Sequence, residues 1–191
     1  MKPASTRQEL GRKAVHVAMG VIPATIAWAP PPWSWRGPVF AFCAILAFDV
    51  ARLLHPGLRR WATHRIGSAL RPREHHGLIS VHYLTGAAVL LSWLLPPALA
   101  ATALGNLVFG DAAGALVGRR WGRHRIGDKS LEGSAACLVA CGLVGWVLLP
   151  ERPLAVVAAA IVATVIEALP MPVDDNWSVP LAAGAVLAVL V

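Results

Sequence analysis

Four residues between positions 111 and 132 have the types and spacing that could bind a phosphate group. Asp111 lies in an apolar stretch, and Lys129, Ser130 and Glu132 follow close together at the start of the next one. Where a helix begins, a lysine amine, a hydroxyl and free backbone N–H groups can bind phosphate together. Carboxylates such as Asp111 and Glu132 can hold the Mg²⁺ that a nucleotide carries. The segment therefore predicts a site for a nucleotide with its metal ion.

A glycine recurs at every fourth position of the same segment, and the stripe consists of Gly110, Gly114, Gly118 and Gly122. On a helix such a stripe lets another backbone or a ligand come close, and helix packing is the more frequent cause. The stretch 122–130 also approaches a Walker A loop. Asp128 separates the last glycine from Lys129, however, and no strand precedes the stretch, which excludes a P-loop nucleoside triphosphatase.

The elements that must position these residues are apolar helices. Of the 191 residues, 57% are hydrophobic and 14% are charged, and the mean hydropathy is +0.61. This composition excludes disorder and argues against a soluble domain, which needs more polar surface. Long apolar runs interrupt the basic residues, so we expect no nucleic acid partner. The class that fits is an all-α, polytopic membrane protein.

Apolar segments predict seven transmembrane helices in a single domain of residues 1–191, at about 14–30, 37–54, 78–95, 97–117, 131–149, 154–169 and 179–191. Proline-rich breaks separate several of them. The net charge is +7, and 15 of the 17 Lys and Arg residues fall on one side of this topology. The positive-inside rule then puts the N-terminus in the cytoplasm. Tryptophans near the predicted helix ends are interpreted as interface anchors.

Acidic residues at the ends of the apolar segments all fall on that same cytoplasmic side, namely Asp49, Asp111, Glu132, Glu167, Asp174 and Asp175. Charges at membrane depth are costly and mark functional sites. Acids that hold a metal ion beside bases that hold phosphate would suit an anionic substrate from the cytoplasm. Asp49 is the exception, because it lies three residues before Arg52 and is expected to pair with it.

The run Asp111-x2-Gly114-x3-Gly118-x3-Gly122-x6-Lys129-Ser130-x-Glu132-Gly133 resembles the CTP-binding motif of the dolichol kinase, phytol/farnesol kinase and CTP-dependent diacylglycerol kinase family. Gly114 stands where that family usually has Ala, and the spacer before Lys129 is of the shorter, phytol kinase type. Three other stretches are similar to family motifs in the same order: Glu9 to His16 with Arg12 and Lys13, Glu74 to Gly86, and Glu167 to Leu181 through Asp174-Asp175-Asn176.

The resemblance implies Mg²⁺-dependent transfer of the γ-phosphoryl group of CTP to the hydroxyl of a membrane lipid alcohol, an isoprenoid alcohol or diacylglycerol. The expected nucleotide-binding residues are Gly110, Asp111, Gly114, Gly118, Gly122, Lys129, Ser130, Glu132 and Gly133. The expected metal ligands are Asp111, Glu132, Asp175 and Asn176, although Asn176 could instead cap the last helix. The expected catalytic residues are Asp111, Lys129, Glu132, Glu74, Glu167 and Asp175, with Arg12, Lys13 and His16 as further candidates.

Several assignments stay open on the sequence alone. The base that takes the alcohol proton could be Glu74, Glu167, Asp175 or His16. The histidines at 75, 76 and 82 form no zinc set, and their position in a loop favours a role at the surface or at the substrate entrance. Cys137 and Cys141 suggest helix packing. A CTP:phosphatidate cytidylyltransferase and a small membrane transporter or channel are the alternative functions. The chain is expected in a prokaryotic plasma (inner) membrane with its active site on the cytoplasmic side, and a homo-oligomer is left open.

Overall fold

The computed structural model describes residues 11, 14–67, 70, 72–127, 129–170 and 172–191, without the side chains of residues 72 and 73. Arg12 and Lys13, which the sequence marked as candidates, lie outside the described residues. Within the described part the chain is almost entirely helical, as the composition predicted. The strands in the described residues form one short antiparallel hairpin, in which Arg125 is paired with Ser130 and Ile126 with Lys129.

The helices follow the predicted apolar segments closely. In chain order they are α1 (Val21–Trp28), α2 (Trp33–Leu54), α3 (Pro56–Ile66), a 3-10 helix (Pro72–His75), α4 (Val81–Leu94), α5 (Pro97–Trp121), α6 (Leu131–Leu148), α7 (Pro153–Ala168) and α8 (Asp175–Leu190), with strands β1 (Arg125–Ile126) and β2 (Lys129–Ser130) between α5 and α6. A helical stretch at 14–18 leads into α1, and the two form one apolar helix, Ala14–Trp28.

Proline-rich breaks end and start these helices where the sequence predicted. α5 and α7 begin at Pro97 and Pro153, the first helical position, where the missing N–H of proline has no partner to lose. Three boundaries differ from the prediction. The loop expected after α2 contains α3, α2 begins earlier at Trp33, and α8 begins at Asp175, which places the acidic residues of the last motif in its first turn.

α5 is the central helix, and it packs against α1, α4, α6, α7 and α8. Its residues from Leu99 to Val108 are all buried. α2 and α6, in contrast, expose most of their apolar side chains. α2, α5 and α6 are long and apolar enough to cross a membrane, and four shorter apolar helices accompany them in the described part of the chain.

Large apolar side chains cover the outer surface of the bundle, for example Phe40, Leu143, Trp146 and Leu154. A soluble monomer rarely exposes so much contiguous apolar surface. The chain is therefore a membrane protein, and the number of crossings and the side of the N-terminus remain predictions. Seven of the eight tryptophans are exposed, which suits interface anchors, whereas Trp177 packs against Gly86 of α4 and the core.

Candidate active site

A cavity of about 490 Å³ opens between α1, α2, α4, α5 and the start of α8. One part of its wall is polar and carries six of the sequence-predicted site residues or candidates: His16, Glu74, Asp111, Lys129, Asp175 and Asn176. The other part is apolar and consists of Val15, Met19, Ile45, Phe48, Ile66, Leu70, Ile79, Val81, Leu84 and Leu107. The fold thus gathers residues from all four motifs around one space whose lining is partly charged and partly apolar.

Lys129 is the cation of this cavity, and its Nζ donates a hydrogen bond to Oε1 of Glu167. β2 holds Lys129 beside the end of α7, where Glu167 is buried. Burial acts to lower the pKa of Lys129, but Glu167 and the charges of Asp175 and Asp111 together raise it above its ordinary value. The amine is therefore held as an ammonium among three carboxylates, and with 36% of its side chain exposed it remains accessible to a ligand.

His16 and Asp111 are in contact on the cavity wall, with 3.5 Å between Nε2 and Oδ2. His16 comes from the helical stretch that precedes α1, and Asp111 lies in the middle of α5. Both side chains are mostly buried. The N-terminal motif is thereby placed against the central motif, which no local feature of the sequence required.

The segment Asp174 to Asn176 starts α8 at the edge of the cavity. Asp174 caps the helix, because its Oδ1 accepts hydrogen bonds from the backbone N and the side-chain Nδ2 of Asn176 at 3.2 and 2.9 Å. The capping role that the sequence left open for Asn176 therefore belongs to Asp174. Asp175 and Asn176 both line the cavity.

The glycine stripe of α5 packs against α6. A Cβ added at Gly110, Gly114 or Gly118 would come within 2.7 to 3.2 Å of Cys141, Gly133 or Ser130, respectively. The close approach that the stripe permits is thus taken by α6 in the structure. Direct contact of Gly110, Gly114, Gly118, Gly122 and Gly133 with a nucleotide stays a prediction.

Ser130 is the N-cap of α6, as the predicted helix start requires. Its Oγ accepts a hydrogen bond from the backbone N of Gly133 at 3.1 Å, and only 3% of the residue is exposed. Ser130 contributes to the site by fixing the junction between β2 and α6, directly after Lys129. It is not among the residues that line the cavity.

Glu132 lies apart from the cavity and holds the loop before β1. Its carboxylate is 2.7 Å from Nδ1 of His124 and accepts hydrogen bonds from the backbone N of Arg123 and of His124 at 3.1 to 3.3 Å. The structure therefore does not bring Glu132 and Asp111 to one metal site. Its predicted role as a Mg²⁺ ligand stays a prediction that a variant can test.

Glu74 is buried in the 3-10 helix, and its Oε1 accepts a hydrogen bond from the backbone N of Ser80 at 2.9 Å. Two residues that the sequence did not assign to the site lie behind it. Arg52 is buried and contacts the carbonyl oxygen of Glu74, and His82 lies in the first turn of α4, buried against Asp49. The prediction that His82 lies in a surface loop is therefore wrong. The predicted pair of Asp49 and Arg52 is confirmed, with 2.6 Å between Nε of Arg52 and Oδ1 of Asp49.

Among the described residues no group of three or more His, Cys, Asp and Glu side chains is close enough to hold a metal ion by itself. Mg²⁺ at nucleotide sites typically takes one or two carboxylates and completes its shell with phosphate oxygens and water. Asp111 and Asp175, with the amide of Asn176, supply oxygen ligands of that kind on the cavity wall. The donor set fits Mg²⁺ that arrives with a nucleotide.

Cys137 and Cys141 are buried free thiols packed between helices, as predicted.

Three curated proteins are similar to the chain over most of its length. The phytol kinase of Synechocystis sp. is 32% identical over 149 residues, which cover 74% of this chain and 59% of the relative. The CTP-dependent diacylglycerol kinase 1 of Schizosaccharomyces pombe is 29% identical over 158 residues, 78% of this chain and 72% of the relative. A probable chloroplastic phytol kinase of Triticum aestivum is 30% identical over 200 residues, 92% of this chain and 65% of the relative.

The chain spans about three fifths of the length of the first of these relatives. No family model matches the chain, and no solved structure matches it. The three relatives support the family that the motifs indicated. The chain is related to lipid kinases of the phytol and diacylglycerol kind.

Proposed function

We propose that this chain, as a relative of the CTP-dependent lipid kinases, transfers the γ-phosphoryl group of CTP to the hydroxyl of a membrane lipid alcohol. The single observation that carries the proposal is the cavity with both charged and apolar residues in its lining. Its polar wall bears Lys129, Asp111 and Asp175, and its apolar wall is built from helices that also face the outside of the bundle. A phosphate donor and an apolar acceptor can meet in such a space.

The donor side is formed by Lys129 and the acids around it. Phosphoryl transfer depends on in-line positioning and on positive charge near the transferred group. Lys129 supplies that charge, and its contact with Glu167 fixes the direction of its side chain before a ligand arrives. Asp111, Asp175 and Asn176 would hold Mg²⁺, which when bound neutralises charge on the phosphates.

The acceptor side, or acceptor wall, is the segment of the cavity lining that contains Glu74, Ile79 and Ser80. Charge from Glu167, Asp175 and Asp111 acts on Lys129, which assigns those three acids to the donor side. Glu74 is buried on a different segment of the cavity lining, which also contributes Ile79 and Ser80. We assign Glu74 as the base that accepts the hydroxyl proton while the alcohol oxygen forms its bond to the γ-phosphorus. The bond from that phosphorus to the bridging oxygen breaks, CDP leaves, and the proton on Glu74 passes to solvent.

The cavity also suits the proposed orientation in the membrane. Its residues come from the helical stretch that precedes α1, the second half of α2, the start of α4, the middle of α5 and the start of α8. In an alternating bundle the ends of α1, α2, α4 and α8 nearest the cavity lie on one side, which the positive-inside rule assigns to the cytoplasm. CTP would enter from the cytoplasm, and the lipid would reach the apolar wall from the bilayer. We place the chain in a prokaryotic plasma membrane, as one domain of residues 1–191.

Transfer of label from CTP to lipid tests the proposal. The purified chain in detergent receives Mg²⁺, CTP labelled at either the α or the γ phosphate, and phytol, farnesol, geranylgeraniol, undecaprenol or diacylglycerol. A kinase transfers the γ label to the lipid and releases CDP. A cytidylyltransferase given phosphatidate transfers the α label and releases pyrophosphate, and this outcome would replace the proposal. ATP in place of CTP tests the donor.

Two variants connect that activity to the cavity. Asp111→Asn removes a carboxylate from the polar wall, and we expect phosphorylation of the lipid to be abolished. Glu151→Gln, an exposed carboxylate in the turn before α7, is the matched control and should keep wild-type activity. Wild-type transfer in purified, folded Asp111→Asn would overturn the assignment.

A further inference from the structure

A buried charged cluster lies behind Glu74, and the proposed reaction does not use it directly. It consists of Asp49 and Arg52 from α2 and His82 from α4, which are 0%, 1% and 8% exposed. Replacing a buried ion pair by apolar side chains is often neutral or stabilising, so stability is a weak explanation for such a cluster. The contacts of the cluster give a better explanation.

Arg52 binds three acceptors at once. Its Nε donates to Oδ1 of Asp49 at 2.6 Å, Nη1 donates to the carbonyl oxygen of Glu74 at 3.1 Å, and Nη2 donates to the carbonyl oxygen of Gly77 at 2.7 Å. The planar guanidinium fixes these directions relative to one another, which a lysine ammonium cannot do. Arg52 therefore fixes the backbone of residues 74 and 77 relative to α2.

Asp49 holds the other end of the same segment. Its Oδ2 accepts a hydrogen bond from the backbone N of Ile79 at 2.8 Å and lies 2.8 Å from Nε2 of His82. Asp49 is thus saturated by contacts to Arg52, Ile79 and His82, and it connects α2 to the beginning of α4. Between them, Asp49 and Arg52 contact the segment 74–79 at three backbone positions.

The segment so held forms part of the cavity wall, through Glu74, Ile79 and Ser80. The backbone N of Ser80 in turn donates to Oε1 of Glu74 at 2.9 Å, so the carboxylate direction depends on where Ser80 lies. A displacement of about 1 Å at a reacting group can cost about 100-fold in rate. Because the cluster holds the backbone of the segment 74–79, it limits the displacement of the Glu74 carboxylate.

We propose that Asp49 and Arg52 are positioning residues for the acceptor wall, which fix the segment 74–80 so that Glu74 meets the hydroxyl of the lipid alcohol. The proposal rests on the proposed function, because it assigns the pair to the acceptor half of that site. It requires that the pair acts on the lipid and on turnover, and not on CTP, which the proposed function assigns to Lys129 and the acids around it.

Arg52→Lys tests the proposal because it keeps the charge and removes the three-way contact. The assay uses labelled CTP with phytol or diacylglycerol, whichever the wild-type chain phosphorylates faster, and rates are expressed per mole of CTP bound at equilibrium. We expect turnover per CTP site to fall by about 10- to 100-fold and KM for the lipid to rise, with KM for CTP within about twofold of wild type. Arg36→Lys, at an exposed arginine in the first turn of α2, should behave as wild type.

Ser80→Pro is a second variant that leaves the buried charges intact. The φ of Ser80 is −61°, which proline adopts, so the substitution removes the N–H that binds Glu74, and it also replaces the Ser80 side chain at the cavity wall. We expect the same pattern, a defect in turnover and lipid KM with normal CTP binding. This variant carries the test if Arg52→Lys yields no CTP-binding protein.

Two results would overturn the proposal: wild-type turnover and lipid KM in both folded variants, or a loss of CTP affinity that equals the loss for lipid. A chain that merely folds less well would show fewer CTP sites with unchanged KM values for both substrates, which would also count against it. Failure of the proposed function looks different, because then the wild-type chain itself transfers no label from CTP to lipid.

Discussion

Lys129 and Glu167 are hydrogen-bonded although 38 positions separate them in the chain. Lys129 belongs to the hairpin between α5 and α6, and Glu167 to the end of α7. The contact ties the motif that resembles a CTP-binding sequence to the C-terminal motif. Of the acids near Lys129, Glu167 is therefore the one that is hydrogen-bonded to its amine.

Removal of the Lys129 amine should disable the donor side. We expect Lys129→Met to lower kcat/KM for CTP by about 10²- to 10³-fold, the loss typical of one preorganised donor to a developing charge. Glu167→Gln should cost less, because it only loosens the direction of Lys129. The double variant should then be no slower than Lys129→Met alone. Additive losses in steady-state kinetics would show that the two residues act independently.

The raised pKa of Lys129 predicts the alkaline behaviour of the site. Its ammonium is favoured in the folded state, so the stability from this contact is fully present below the ordinary lysine pKa of about 10.4 and is lost as the pH rises through the higher folded value. The difference in melting temperature between wild type and Lys129→Met should therefore be constant from about pH 7 to pH 10 and shrink above that range. A difference that already shrinks between pH 7 and 9 would contradict the raised pKa.

Glu132 has two alternative roles. It is a Mg²⁺ ligand, as predicted from the sequence, or it anchors the loop before β1. The contacts of its carboxylate with residues 123 and 124 favour an anchor. We expect Glu132→Gln to expose the loop before β1 to limited proteolysis, while the Mg²⁺ concentration for half-maximal activity stays near the wild-type value. A requirement for Mg²⁺ raised by tenfold or more would restore the role predicted from the sequence. Glu151→Gln again serves as the matched carboxylate control.

The packing of α5 against α6 can be tested with two glycines of α6, Gly133 and Gly142. At Gly133 a Cβ would lie 2.7 Å from the carbonyl oxygen of Gly114, whereas at Gly142 nothing lies within 4 Å. We expect Gly133→Ala to lower the free energy of unfolding by about 1–3 kcal/mol, the usual cost of overpacking. Gly142→Ala should leave it unchanged or raise it slightly. Thermal unfolding in detergent measures both, and equal stability of the two variants would argue against close packing at Gly133.

Local signals in the sequence were enough for the helices and for some contacts within them. Apolar runs and prolines such as Pro97 and Pro153 predicted where helices lie, because a helix is built from contacts three or four residues apart and proline interrupts them. The pair of Asp49 and Arg52 lies at that spacing and was predicted correctly. The start of α6 after Ser130 was predicted for the same reason.

The sequence by itself determined an all-helical membrane chain, its helix positions and the motifs that resemble those of lipid kinases. Only the tertiary structure decided that Glu167 pairs with Lys129, that Glu132 turns to the loop at His124, and that His82 is buried against Asp49. The pairs with His82 and Glu167 are 33 and 38 positions apart, so they depend on how α2 packs against α4 and on where the hairpin meets α7. The pair of Glu132 and His124, eight positions apart, depends on the path of the connection between α5 and α6. Periodicity reports which face of a helix is apolar, but it carries no information about which distant side chain that face will meet.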